Sequence, residues 1–196
     1  MSVLSPNICD TSHIDKGEGE VILLLHGLFC NLSNFSYTID HFSDKYRVIA
    51  PSLPLVDLPL RESNINGLVN YIENFVTRLE LKKFTIVGNS LGGHIAIKYA
   101  LRNPSKVEAL VLTGSSGLFG ESIKSHGYPK RKSYDYINNK IKMAFFDPRH
   151  ATKELTDEIL LSLKDNLKAI RILSLAKSTL KSNLSNQLNS IDVPVM

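Results

Sequence analysis

The five residues Gly88-Asn89-Ser90-Leu91-Gly92 constrain this chain more than any other stretch. They follow Phe84-Thr85-Ile86-Val87, an aromatic and β-branched run that reads as a strand, and precede Gly93 to Tyr99, which reads as a helix. A strand can pass into a helix over so few residues only by a sharp turn in which one residue takes a strained backbone conformation. The residues on either side of it must then be small enough to let the two elements pass. That geometry lifts the Ser90 hydroxyl out of the sheet and onto the helix N-terminus, where backbone N–H groups point at it. Ser90 is therefore the candidate nucleophile.

The rest of the pattern is that of an α/β fold. Val21 to Leu25 is a continuous apolar run, as expected of a strand covered on both faces of a parallel sheet. After the His26-Gly27 loop, Ser33 is placed to cap a short helix running through His41. Tyr46 to Ala50 forms the next strand, stopped by Pro51. Ile65, Leu68, Val69, Ile72, Phe75, Val76 and Leu79 fall on one helical face, with Asn66 or Ser63 as the expected cap. The helix after Ser90 should stop at Asn103-Pro104. Val107 to Thr113 gives a fourth strand, while the first dozen residues carry no strong period. Strands alternating with helices predict a mostly parallel sheet with flanking helices and right-handed crossovers.

From Glu121 the pattern changes, and no strand is expected for about seventy residues. Tyr134, Ile137, Ile141 and Phe145 predict one helix. Leu155, Ile159, Leu160, Leu163 and Leu167 predict a second, and Ile170, Leu173, Ala176 and Leu180 a third. A helical block inserted after a strand and a Gly/Ser hinge predicts a lid over the mouth of the sheet. The expected organisation is a core over 1–120, a helical cap over 121–190, and the start of a returning core strand over 191–196.

Composition narrows the function classes. A hydrophobic share of 43% against 21% charged residues is that of a globular chain. The two cysteines, Cys9 and Cys30, make neither a disulfide framework nor a metal-ligand spacing, so a reduced, cytoplasmic setting with no metal is expected. No run reaches the roughly 18 apolar residues that cross a bilayer, so no membrane partner is expected. The net charge of +4 gathers around Lys124, Lys130, Arg131 and Lys132, with Tyr128 and Tyr134 nearby. No nucleic-acid-binding motif accompanies that block, which reads as a solvated face or as a rim attracting anions.

Taken together, His26-Gly27 after an apolar strand, the Gly88-Asn89-Ser90-Leu91-Gly92-Gly93 turn and the helical block after Val107–Thr113 resemble the α/β-hydrolase superfamily. The likeness runs from about Glu20 to the end of the chain. The turn and the stretch Gly114–Gly120 look most like capped esterase-type and C–C bond hydrolases. The resemblance implies that Ser90 attacks a carbonyl carbon and that the N–H groups of Leu91 and Leu28 hold the oxyanion. Phe29, next to Leu28, and Asn89 are expected to touch a small, fairly apolar substrate. No cofactor is implied beyond water as second substrate.

Two features depart from the family pattern. Ser52-Leu53-Pro54-Leu55-Val56-Asp57-Leu58-Pro59-Leu60, where relatives carry a glycine-rich turn, holds no glycine and is expected to line the site or pack under the cap. The triad acid and histidine follow later strands in the family, whereas Ile191 to Met196 reads only as the start of the first of these. The expectation is a piece of a longer protein that is nearly inert alone. His26 should structure the oxyanion loop, and His94, one turn beyond Ser90, should fill a core or hydrogen-bonding role. The rival readings are a non-catalytic ligand-binding protein and an acyltransferase or cofactor-free haloperoxidase using the same serine.

Overall fold

In the computed structural model, residues 12–28, 30, 32–118, 133–142, 145 and 147–196 are described. Five strands form one sheet: β1 (His13–Lys16), β2 (Val21–Leu25), β3 (Arg47–Pro51), β4 (Phe84–Asn89) and β5 (Val107–Thr113), in the order β1-β3-β2-β4-β5. β1 runs antiparallel to β3, and the remaining pairs are parallel. The sequence gives no period for β1. It is an exposed edge strand, fixed by pairing with β3 and by the Asp15–Arg47 ion pair rather than by its own pattern.

Alternation along β2 sorts its side chains between the two faces. Leu23 and Leu25 join the main core with α2 (Ile65–Arg78) and α3 (Leu91–Arg102), whereas Leu24 packs with Ile39 of α1 (Ser36–Phe42), Val48 and Ala50. All three leucines are fully buried, which is why the run carries no polar residue. The chain leaves β2 for β3 on one side and returns past it to β4 on the other. The loops after β2 and β4 therefore meet at one end of the sheet, with Leu25 opposite Gly88 in the register. In open α/β sheets such a reversal of strand order opens a crevice at the carboxyl ends of the strands.

α2 buries the face that its periodicity predicts, but its cap is Asn64, whose side chain accepts from Gly67 N–H at 3.1 Å. The two expected caps are otherwise engaged. Ser63 Oγ is buried and donates to the carbonyls of Leu58 and Pro59, and Asn66 Oδ1 accepts from Arg102. Ser33 likewise caps no helix: it lies in a 3₁₀ turn, Leu32–Phe35, that leads into α1.

The later helices are α4 (Tyr134–Lys142), α5 (Lys153–Lys164) and α6 (Asn166–Lys181). Phe145 lies beyond α4 yet packs against the α4–α5 cluster of Ile137, Ile141, Ile159 and Leu163. Leu167 belongs to α6 rather than α5, because Asp165 breaks the run and caps α6 by accepting from Leu167 N–H and Lys168 N–H. Leu175 anchors α6 in the main core. The last residues lie parallel to the outer edge of β5. Pro194 O accepts from Leu110 N–H, Met196 N–H donates to Leu110 O, and Met196 O accepts from Leu112 N–H, all at 2.8 to 2.9 Å.

Candidate active site

Ser90 is the single residue between β4 and α3, at φ 52°, ψ −110°. A non-glycine residue there carries on the order of 1–3 kcal/mol of strain and persists only where its surroundings fix it. Its N–H donates to Thr113 O at 2.9 Å, and its carbonyl accepts from His94 N–H at 3.2 Å and from Ser116 N–H at 3.1 Å. Close approach explains the glycines around it. A Cβ on Gly88 would lie 2.6 Å from the Gly92 and Gly93 backbone, and one on Gly92 only 1.9 Å from Leu25 O.

The loop after β2 lies directly against this turn. The space where Gly27 would carry a Cβ is 3.3 Å from Ser90 Cβ and 3.1 Å from Asn89 Oδ1. His26 holds that loop. One ring nitrogen, Nδ1, lies 2.9 Å from Gly27 O, and the other, Nε2, accepts from Leu53 N–H at 2.9 Å. A carbonyl only accepts and an amide only donates, so the ring is the neutral Nδ1–H tautomer. Burial agrees, holding its pKa below the usual histidine value.

Leu28 follows Gly27 and packs against the core, and Leu91 opens α3, where the first N–H groups have no partner within the helix. Phe29 lies outside the described residues, as do Cys9 and residues 119–132, which carry the basic cluster around Lys124, Lys130, Arg131 and Lys132. The Asn89 amide is used within the protein, donating to Thr113 O at 3.2 Å and Thr113 Oγ1 at 3.1 Å. Among the described residues no histidine or carboxylate hydrogen-bonds the Ser90 hydroxyl, and no group of three or more His, Cys, Asp or Glu is placed to hold a metal.

His94 is fully buried, and both of its ring nitrogens meet serines other than Ser90. Its Nε2 lies 3.1 Å from Ser182 Oγ just beyond α6, and its Nδ1 lies 3.4 Å from Ser116 Oγ. Gly117, at φ +88°, lies against the ring, where a Cβ would come within 2.7 Å of it. Ser116 and Ser182 are the positions that periodicity misses. The Gly114 to Gly117 run signals the first only as a turn, and nothing local signals the second.

Burial, then the charge of Lys98, lowers the His94 pKa to about 4, from an ordinary value near 6.5. Between those values the unfolded chain binds the proton more readily, so stability present above pH 6.5 is lost as pH falls through 4. The loss amounts to about 3 kcal/mol, and His26 adds to it in the same direction. Denaturant titrations at pH 7, 5.5 and 4.5 are expected to show this slope, and His94→Gln to flatten it. Equal stability at the three pH values would contradict this account.

A cavity of about 220 Å³ adjoins the loop after β2. His26 and Leu28 line it on one side, Leu53 and Val56 of the glycine-free loop on another, and Ile159 and Ile172 of α5 and α6 close it. Arg171 of α6 ties the two walls together, its Nη1 donating to Val56 O at 2.7 Å.

A family profile described as the α/β hydrolase fold matches residues 20–132. The 2-hydroxy-6-oxononadienedioate/2-hydroxy-6-oxononatrienedioate hydrolase of Cupriavidus pinatubonensis is 30% identical over 178 residues, covering 80% of this chain and 59% of that protein. Other curated relatives are spanned over 29% to 55% of their length. Among solved structures, an α/β hydrolase enzyme from a sediment metagenome of the Mar Chica lagoon, Morocco, superposes with a TM-score of 0.74 at 32% identity, covering 95% of this chain and 70% of that one. A meta-cleavage product hydrolase from Pseudomonas fluorescens gives 0.74 at 24% identity, covering 94% of this chain and 74% of that one, a likeness of fold. With the strand order, the tight serine turn and this match over more than half its length, the chain belongs to the α/β-hydrolase fold family.

Proposed function

We propose that the protein is a serine hydrolase with Ser90 as nucleophile, acting on an ester, a thioester or an activated C–C bond of a small, fairly apolar substrate. The observation that carries this reading is the backbone of Ser90. Its positive φ between β4 and α3, clamped from Thr113, His94 and Ser116, costs strain that a structural serine has no use for. Relatives named as hydrolases of 2-hydroxy-6-oxononadienedioate and of 2-hydroxy-6-oxo-6-phenylhexa-2,4-dienoate support the reaction class.

In the proposed reaction the Ser90 oxygen attacks the carbonyl carbon while a general base takes its proton. The N–H groups of Leu91 and Leu28 hold the developing oxyanion, each typically contributing about 3 kcal/mol. Collapse expels the leaving group, and water then releases the acyl group from Ser90. The base is expected outside the described residues, since His94 is committed to Ser116 and Ser182 and His26 to Gly27 and Leu53. Helices α4 to α6 act as a cap, and the cavity beneath α5 and α6 receives the apolar part of the substrate. No metal or organic cofactor takes part.

The test is covalent labelling of the whole protein with a fluorophosphonate, followed by peptide mapping. The expected adduct is one phosphonyl group on Ser90. An enzymatically active preparation that carries the label elsewhere, or none at all, would refute the assignment.

A further inference from the structure

The carbonyl of Ser90 accepts from three donors: His94 N–H at 3.2 Å, Ser116 N–H at 3.1 Å and Ser116 Oγ–H at 3.4 Å. The first is the opening bond of α3, and the other two reach across from the segment after β5. A carbonyl oxygen only accepts, so the Ser116 hydroxyl proton points at Ser90 O. Ser116 Oγ is then left to accept from His94 Nδ1, 3.4 Å away. Burial, then the charge of Lys98, keeps the His94 ring neutral at ordinary pH, so only one of its nitrogens carries a proton. With that proton on Nδ1, Nε2 accepts, and the Ser182 hydroxyl donates to it at 3.1 Å. The donors thus run one way, from Ser182 to His94 to Ser116 to Ser90 O.

Ser182 ends α6, and Ser116 lies just after β5, so this array joins the two ends of the stretch that carries α4, α5 and α6. Two further bonds tie the same ends together. Leu184 N–H donates to Gly117 O at 2.7 Å, and Ser185 Oγ donates to Leu118 O. The joint closes around the His94 ring, which is fully buried and lies against Gly117. A buried polar array is costly to leave partly satisfied, which holds this one in a single arrangement.

The peptide that follows Ser90 gives the joint its consequence. The Ser90 carbonyl and the Leu91 N–H belong to one planar trans unit, in which the two groups point in opposite directions. Whatever fixes the carbonyl therefore aims the N–H. A strained residue at φ 52°, ψ −110° relaxes by backbone rotation unless its surroundings hold it, and this unit turns with it. We propose that Ser116, His94 and Ser182 are positioning residues, which hold the Ser90 carbonyl and so aim the Leu91 N–H at the oxyanion. The inference rests on the reading of Ser90 as nucleophile and Leu91 N–H as oxyanion donor. Such a donor acts on the transition state rather than on bound substrate, so its misalignment lowers kcat and spares KM.

Steady-state turnover of an activated ester by the whole protein tests it. Ser116→Ala and Ser182→Ala are each expected to lower kcat about tenfold with KM held within about twofold, part of the roughly 10²–10³-fold carried by an oxyanion donor. The two act in series, so the double variant should lose no more than the larger single loss. Ser182→Thr keeps the hydroxyl and should restore most of kcat. Losses that multiply in the double variant, a change in KM alone, a parental kcat in Ser182→Ala, or a Ser182→Thr protein as slow as Ser182→Ala would each overturn the inference. If Ser116→Ala does not fold, the Ser182→Ala and Ser182→Thr pair decides by itself. Ser90→Ala in the same assay tells the two failures apart. Lost turnover there beside an unimpaired Ser182→Ala removes the positioning role alone, whereas turnover that persists in Ser90→Ala removes the hydrolase reading with it.

Discussion

Ser90→Ala is expected to lower turnover of an activated ester by the whole protein by about 10⁴-fold or more, the scale seen when a nucleophile is removed from a serine triad. The melting temperature should stay put, because the clamps on this residue run through its backbone. Its N–H still reaches Thr113 O, and its carbonyl still receives His94 N–H and Ser116 N–H. Alanine also tolerates φ 52° no worse than serine does. Matched urea titrations and initial rates on both proteins separate chemistry from folding. Undiminished turnover would remove Ser90 from the mechanism, and a matching loss of stability would make it a structural residue.

Gly92→Ala is expected to have the largest effect on folding. The added methyl would lie 1.9 Å from Leu25 O, 2.5 Å from the Leu25 carbonyl carbon and 2.9 Å from His26 O. All three are backbone atoms at the end of β2 and just beyond it, where Leu25 and His26 are both buried. No rotamer change relieves such an overlap, so α3 must move off β2 and open the main core. A loss of about 4 kcal/mol or more follows, at the extreme of single substitutions. Gly93→Ala offers the internal comparison, because its methyl meets the Ser115 side chain at 2.6 to 2.8 Å and a side chain can turn aside. Denaturant midpoints should rank parent, Gly93→Ala and Gly92→Ala in falling order; a Gly92→Ala protein as stable as the parent would contradict the packing described.

The parts of the fold that were legible in the sequence are those whose burial imposes a pattern. Leu23 to Leu25 could be read as a central strand because both faces are covered, and α2 because one face alone is. β1 was not legible, since an edge strand with one half-buried residue has no pattern to impose. Caps failed for a related reason. Ser63, Asn64 and Asn66 are all competent capping residues, and the competition among them is settled by Leu58, Pro59 and Arg102, partners brought there by the fold. At the site, the glycines around Ser90 announce a close approach of backbones, whereas Ser182 lies 88 residues from its partner His94 and carries no local mark.

The tie between His26 and Leu53 bears on how such a protein can change over generations. Leu53 contributes its side chain to the cavity wall and its N–H to the ring that sets the loop carrying Gly27 and Leu28. A backbone shift that reshapes the wall for a different acyl group therefore also displaces a proposed oxyanion donor. Substrate range and catalytic rate cannot drift independently at this loop. Innovation is channelled instead toward the α5 and α6 side of the cavity, where Ile159 and Ile172 can be exchanged without touching the machinery beneath them.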